Sequence, residues 1–242
     1  MSNREKLHDN LPQLQNLIKR DPDMYKSDFL VQLAHFDSEL KIFQLKPEKA
    51  TSSFSVLVNF MAHCFACYPK VMKESRFAER IIELIEEHYA LLNPKLRGKL
   101  VQSLVLIRNR GMLEAIPLFR LLLKLFDCED KQLRQDVFNY IVADVRNNVL
   151  KNHNQKANRQ TKNFVLKHLE NASTKIAVKT LAVVSDLYRR KIWTDARTVN
   201  VIADACFSDV PKVATGAMRF FLGIDQQIES TENDEEFQEK QK

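Results

Sequence analysis

Glycine and proline are scarce in this sequence, with 4 glycines and 7 prolines among 242 residues. Tight β-turns draw heavily on glycine, so this scarcity argues against an all-β fold with many hairpins. It also argues against a glycine-rich loop that cradles phosphates, and no GxxxxGK[ST] pattern occurs. The composition therefore favours neither a turn-rich β fold nor a glycine-loop nucleotide site.

Long apolar runs and cysteine patterns typical of disulfides are also missing. No stretch of about 18 consecutive apolar residues occurs, so no segment is predicted to span a membrane. The opening residues MSNREKLHDNLPQ have no apolar centre and do not resemble a signal peptide. Four cysteines in a chain of this size do not form a disulfide framework. We therefore expect an intracellular protein with no membrane partner.

Motifs that carry catalysis or bind metals are largely absent. The sequence has no HExxH and no GxSxG, and its six histidines are scattered. One CxxC, from Cys64 to Cys67 beside His63, lies in the apolar segment FSVLVNFMAHCFACYP. A structural zinc site usually needs two such pairs, so we interpret these cysteines as buried residues of a helix. We expect no catalytic residue, metal, cofactor or small-molecule substrate, and no enzyme activity.

Apolar residues recur with a helical period almost throughout the chain. Leu96, Leu100, Leu104 and Ile107, for example, form one stripe along a helix. About eleven helices are predicted, and no segment has a convincing strand pattern. The sequence therefore predicts an all-α fold.

Short segments repeat at a fixed distance. The segments KLR at Lys95 and QLR at Gln132 are 37 residues apart, as are KIAV at Lys175 and KVAT at Lys212, whereas the step between the two pairs is 43. A period near 40 built of helix pairs is typical of HEAT or armadillo repeats. We therefore predict a HEAT/armadillo-like solenoid, in which neighbouring repeats share a core. An irregular helical bundle is the alternative.

Charge is distributed unevenly along the chain. The whole sequence has a formal net charge of +6, but residues 224–242 contain seven acids and two lysines. Residues 1–223 consequently have a net charge of +11. We expect a helical-repeat domain over 1–223 and a disordered acidic tail over 224–242. A basic body favours a polyanionic partner such as RNA.

A basic segment falls in the longer interval between repeats. Residues 146–162, RNNVLKNHNQKANRQTK, contain no acid and are rich in Asn and Gln. Their polarity predicts that the first residues end a helix and that the rest form an inter-helix loop. Cations without a counter-charge suit a phosphate backbone, and a solvated loop without a ligand is the alternative. The candidate contact residues are Arg146, Lys151, Lys156, Arg159 and Lys162.

Three blocks of the sequence resemble one known family. Residues Asp186–Ser208, DLYRRKIWTDARTVNVIADACFS, closely resemble a block of the SDA family, with Asp186 where the family pattern has Glu. Asn10–Pro22 is similar to the start of that family, and Leu133–Asn148 is similar to a middle block. The family comprises nucleolar ribosome-assembly proteins and is named for a severe-depolymerisation-of-actin phenotype. The blocks occur in the family's order and span most of 1–223.

This resemblance implies a non-catalytic factor in the maturation and nuclear export of the large ribosomal subunit precursor. Its partners would be the pre-60S particle, meaning the ribosomal RNA backbone and assembly proteins, and its location the nucleus and nucleolus. The alternative is a HEAT-type protein-interaction or transport adaptor without RNA contact, with a link to actin organisation. Family members are much longer than this chain, and features of their lysine-rich central and second conserved C-terminal regions do not carry over.

The block at Asp186–Ser208 also contains the only tryptophan. We expect its cations to end a helix, where they interact favourably with the helix dipole. Trp193 is then expected to fill the turn, and Thr194 or Asp195 to start the next helix. The candidate contact residues of this block are Arg189, Arg190 and Lys191.

Overall fold

The computed structural model describes residues 10–45, 52–151, 155–171 and 173–224. These residues form twelve α-helices and one short 3-10 turn at Leu125–Asp127, with no strand among them, which confirms the predicted all-α class. The helices are α1 Leu11–Arg20, α2 Lys26–Leu45, α3 Ser52–Cys64, α4 Pro69–Glu74, α5 Phe77–His88, α6 Pro94–Asn109, α7 Ala115–Lys124, α8 Lys131–Lys151, α9 Gln155–Asn171, α10 Thr174–Arg189, α11 Ala196–Ala205 and α12 Pro211–Leu222.

The chain divides into two compact units, Met1–Leu133 and Arg134–Lys242. In the first unit, α3 is central and packs against α1, α2 and α6, while α5 packs against α6 and α7. Aromatic side chains fill this core: the Phe29 and Tyr68 rings stack with centroids 4.3 Å apart, and those of Phe36 and Phe77 lie 4.8 Å apart. Such pairs add to the stabilisation from burial alone.

In the second unit, successive helices pair and the pairs stack. Helix α9 packs on α10 and α11 on α12, while α9 also packs on α11 and α10 on α12. Each helix therefore contacts its counterpart in the next pair, as in HEAT-type stacking. Gly216 marks a close approach of α12 to α10, because an added Cβ there would lie 3.2 Å from Cδ2 of Leu181.

The 37-residue repeat corresponds to the starts of equivalent helices. Helices α6 and α8 begin at Pro94 and Lys131, and α10 and α12 begin at Thr174 and Pro211. Both offsets are 37 residues, so the repeat derived from short sequence matches is confirmed. Because α10 and α12 also contact each other, the repeat has a packing basis in the second unit.

The polar loop predicted within 146–162 is wrong. Helix α8 has 21 residues and ends at Lys151, and α9 begins at Gln155. The longer 43-residue step is thus taken up by long helices, with only 152–154 between them, outside the described residues. Gln, Lys, Ala and Arg are good helix formers, and the segment is polar because the first two turns of α9 are largely exposed.

No helix in the described part of the chain is both long and apolar enough to cross a membrane. The extent of one repeat domain over 1–223 stays a prediction. The acidic-tail prediction falls on residues 225–242, which lie outside the described residues.

Trp193 lies in the turn between α10 and α11, as expected. Its side chain is 4% exposed, and its backbone N–H donates to the Leu187 carbonyl at 3.4 Å. Asp195, one of the two expected starts, is the N-cap of α11 and accepts a hydrogen bond from the Thr198 N–H. The turn is therefore fixed both by a buried aromatic ring and by a helix cap.

Replacing Trp193 with Ala should lower the free energy of unfolding by about 3–5 kcal/mol, because the cavity cannot refill completely. Chemical denaturation followed by far-ultraviolet circular dichroism measures the loss. Phe207→Ala is the matched control, since this aromatic residue lies after α11 but is 88% exposed, and its removal should cost little. Equal losses in the two variants would contradict a packing role for Trp193.

Candidate nucleic-acid interface

Helix α9 carries a row of exposed cations. Lys156 and Arg159 are three residues apart and exposed, so their side chains are neighbours on the helix surface. Lys167 is also exposed and follows Lys156 by eleven residues, close to three full turns, which places it on the same face. We call Lys156, Arg159 and Lys167 the α9 basic face. Lys167 was not among the contact residues expected from the sequence. A loop was predicted for Lys156 and Arg159, so the three cations could not be placed on one helix face.

The other two predicted cations of this segment lie on α8. Arg146 is exposed near the end of that helix, and Lys151 is its last residue, whose side chain is not described. Asn158 of α9 donates through Nδ2 to the Asn148 carbonyl at 3.3 Å, which joins the last turns of α8 to the first turns of α9. Arg146 lies two residues before Asn148 on α8.

Lys162 differs from its neighbours because it has a specific partner. Its Nζ lies 2.5 Å from Oδ2 of Asp195, and Oδ1 of Asp195 accepts from the Thr198 hydroxyl at 2.6 Å. These two hydrogen bonds lower the pKa of Asp195 to about 2. Lys162 thus holds α9 against the start of α11, and its charge is paired with a carboxylate.

A second polar contact joins the same two helices. Arg197 Nη1 donates to Oδ1 of Asn163 at 2.9 Å, one residue after Lys162 and two residues after Asp195. Arg197 is itself exposed and adds a positive charge beside the α9 basic face. Adjacent repeats are therefore fixed in register by polar contacts at their surface as well as by their core.

The cations at the end of α10 form a separate group. Arg190 is the C-cap of α10, and its Nε donates to Oδ2 of Asp186 at 2.6 Å, so this residue has a local structural role. Arg189 and Lys191 instead line a cleft of about 440 Å³ beside α11 and α12. We call it the terminal cleft, and its lining includes Tyr188, Arg189, Lys191, Val199, Phe220 and Phe221.

Lys191 occupies a backbone conformation that usually belongs to glycine. Its φ is +62°, its N–H donates to the Tyr188 carbonyl at 2.9 Å, and the next N–H donates to Leu187 at 3.0 Å. This pair of bonds is the Schellman arrangement that ends many helices. Helices α6 and α12 end with the same two bonds, but with Gly111 and Gly223 at the left-handed position. Lysine therefore stands at a position where the two equivalent turns have glycine.

The two cysteines of the CxxC motif differ in their positions in the structure. No group of three or more His, Cys, Asp or Glu side chains in the described ranges is arranged to hold a metal ion. Cys64 is buried at the end of α3, and burial raises the pKa of its thiol to about 12. Its interpretation as a buried helix residue is confirmed. Cys67 lies beyond the helix in the following turn and is only half-buried, so that part of the prediction is wrong.

Comparison with known proteins settles the family. The family model described as "SDA1, HEAT repeat" matches residues 60–242, about three quarters of the chain. The chain belongs to the SDA1 family. This membership confirms both the resemblance found in the sequence blocks and the HEAT-type fold observed in the second unit.

Relatives in the SDA1 family come from distant organisms. The chain is 40% identical to "Protein SDA1 homolog" of Xenopus tropicalis over 225 residues, which are 93% of this chain and 32% of the relative. It is 43% identical to the homolog of Dictyostelium discoideum, covering 96% of this chain and 30% of that protein. It is 35% identical to "Protein SDA1" of Chaetomium thermophilum, covering 96% of this chain and 31% of that protein. The chain spans about a third of the length of these relatives.

The Lys162–Asp195 contact makes a prediction about pH. Because the pKa of Asp195 is lowered on folding, its contribution to stability is present above its unfolded pKa near 4 and is lost as pH falls towards 2. Asp195→Asn should therefore lower the free energy of unfolding at pH 5. Between pH 5 and pH 2.5 the variant should lose less stability than the unchanged chain. At pH 5 the two proteins should differ by about 1 kcal/mol or less, because the Asp195 side chain is 47% exposed.

Urea unfolding at several pH values measures this effect. Asp204→Asn is the matched control, because Asp204 is an exposed aspartate on the same helix. If the Asp195 and Asp204 variants show the same pH dependence, the Lys162–Asp195 contact does not contribute to stability in solution.

Proposed function

We propose that this chain is a non-catalytic scaffold of large ribosomal subunit assembly and nuclear export, acting in the nucleus and nucleolus. In this proposal, the α9 basic face and Arg146 contact the phosphate backbone of pre-ribosomal RNA within the pre-60S particle. The observation that carries the proposal is the row of exposed cations on α9 in a chain of the SDA1 family. The role in ribosome assembly follows from the resemblance of the three sequence blocks.

The position of these cations supports a role in binding. Lys156 lies in the first turn of α9, and no acidic residue occurs in that turn. The N-terminus of a helix carries a partial positive charge, so a cation there is locally unfavourable by about 0.3–1 kcal/mol. Local stability therefore does not explain why this turn is basic, whereas attraction of an anionic ligand does.

The helical conformation also improves the proposed interface. A helix fixes the relative positions of Lys156, Arg159 and Lys167, so less chain entropy is lost on binding than with a flexible loop. The exposed side chains between these cations include Gln160, and the half-buried Asn163 is adjacent. Cations and amides can bind phosphate and sugar oxygens without reading the bases. We therefore expect binding that depends on RNA charge and shape more than on sequence.

A protein-interaction or transport adaptor, with a link to actin organisation, is the second candidate. The observation that favours it is the terminal cleft, where half of the Phe221 side chain is exposed beside other aromatic rings. Apolar clefts of this kind bind protein segments, not RNA phosphates. In this alternative the α9 basic face is a solvated surface.

Charge reversal tests the RNA contact. Arg146, Lys156 and Arg159 are exposed, so changing all three to Glu should leave the fold intact, and Glu is favoured near the start of α9. The triple variant should bind a fluorescein-labelled RNA duplex more weakly. The slope of log affinity against log salt should become shallower by about 2–3, at about 0.7–0.9 per lost phosphate contact. The tagged variant should also associate less with pre-60S particles in cells.

The matched control reverses three other exposed lysines, Lys41, Lys70 and Lys95, and so changes the net charge equally. Its salt slope and its particle association should stay close to those of the unchanged chain. If both triple variants behave alike, the effect comes from net charge and the α9 basic face is not the interface. If neither variant changes particle association, the adaptor function is favoured.

A further inference from the structure

The terminal cleft combines aromatic and positively charged groups. Tyr188 and Phe220 meet edge to face with centroids 5.1 Å apart, and Phe220 and Phe221 do the same at 5.1 Å. Arg189 and Lys191 are the charged residues among the described residues of its lining, and none of those residues is acidic. At about 440 Å³ the cleft is within the range of about 300–1,000 Å³ found for small-ligand sites, so it has room for an aromatic side chain. Its chemistry fits an aromatic side chain flanked by carboxylates.

The backbone at Lys191 indicates that the positive charge in the cleft matters. A non-glycine residue in the left-handed region is strained, and the equivalent turns after α6 and α12 avoid this strain by using glycine. Strained residues persist where the surrounding structure holds them, and they cluster at binding sites. Lysine at the end of α10 interacts favourably with the helix dipole, but glycine would avoid the backbone strain.

We propose that the terminal cleft binds the acidic segment 232–239, ENDEEFQE, of the same chain, with Phe237 inserted beside Phe220 and Phe221. Phe237 is the only aromatic residue in 225–242, and Glu235, Glu236 and Glu239 flank it. These carboxylates complement the positive charge of Lys191. The contact needs no regular structure in the segment, and it does not rest on RNA binding by the α9 basic face.

Covalent connection favours this occupant over a separate protein. Gly223 also lines the terminal cleft, and Phe237 follows it by fourteen residues, which can reach at most about 50 Å. A segment tethered at this distance has an effective concentration in the millimolar range. Even a weak aromatic contact, supported by ion pairing with Lys191, can therefore be substantially occupied.

Photo-crosslinking in the full chain tests the proposal directly. Phe237 is replaced by p-benzoyl-phenylalanine, which keeps an aromatic ring at that position, and the irradiated protein is mapped by mass spectrometry. We expect crosslinks within one molecule to residues 188–191 and 220–223, with a yield independent of protein concentration. No crosslink, crosslinks concentrated on α9, or crosslinks only between two copies would each overturn the proposal.

Variants of Lys191 separate binding from folding. Lys191→Glu should lower the crosslink yield by about two- to fivefold, the range for one exposed ion pair, whereas Lys212→Glu, an equal charge change on α12 outside the cleft lining, should not. Lys191→Gly should also lower the yield while leaving the melting temperature unchanged or higher, because glycine relieves the backbone strain. An undiminished yield in both Lys191 variants would overturn the assignment of the cleft.

Discussion

Stacking of like helices is the constraint on which the second unit depends. A pair such as α9 and α10 exposes apolar residues unless another pair covers them, and α11 and α12 provide that cover. The contact is tight enough that Gly216 leaves only 3.2 Å between a hypothetical Cβ and Leu181. Both candidate surfaces follow from this stacking. The α9 basic face lies on a helix held by α11, and the terminal cleft lies beside the ends of α10 and α12.

Much of this arrangement could be predicted from the sequence, because repeat spacing and apolar period report directly on helix packing. The 37-residue offset identified equivalent helices, and the burial of Trp193 and the cap at Asp195 were expected from the turn between α10 and α11. The start of α9 could not be predicted in the same way, since its first turns have no apolar stripe. Its helical state depends on intrinsic propensity and on the buried residues from Thr161 onward. Lys167 and the Lys162–Asp195 pair were missed for the same reason, because both depend on knowing which residues share a helix face or meet across repeats.

The two surfaces differ in the kind of ligand that their chemistry suits. Exposed cations on a rigid helix attract a polyanion over a distance set by ionic strength, and that attraction weakens as salt rises. The terminal cleft instead offers aromatic area, which salt does not screen, with positive charge at a strained position. A scaffold that uses both could hold RNA on one surface and an acidic protein segment on another without competition between them.

The RNA contact at the α9 basic face can be measured by lysine footprinting in purified pre-60S particles. The rate of acetylation is compared for Lys156 and Lys167 in the free chain, in the particle, and in the particle after ribonuclease treatment, with exposed Lys41 and Lys70 as internal references. If RNA covers this face, Lys156 and Lys167 should react more slowly in the particle and recover after ribonuclease treatment. Equal reactivity in the free and particle-bound chain, or protection that persists after ribonuclease treatment, would contradict the RNA contact.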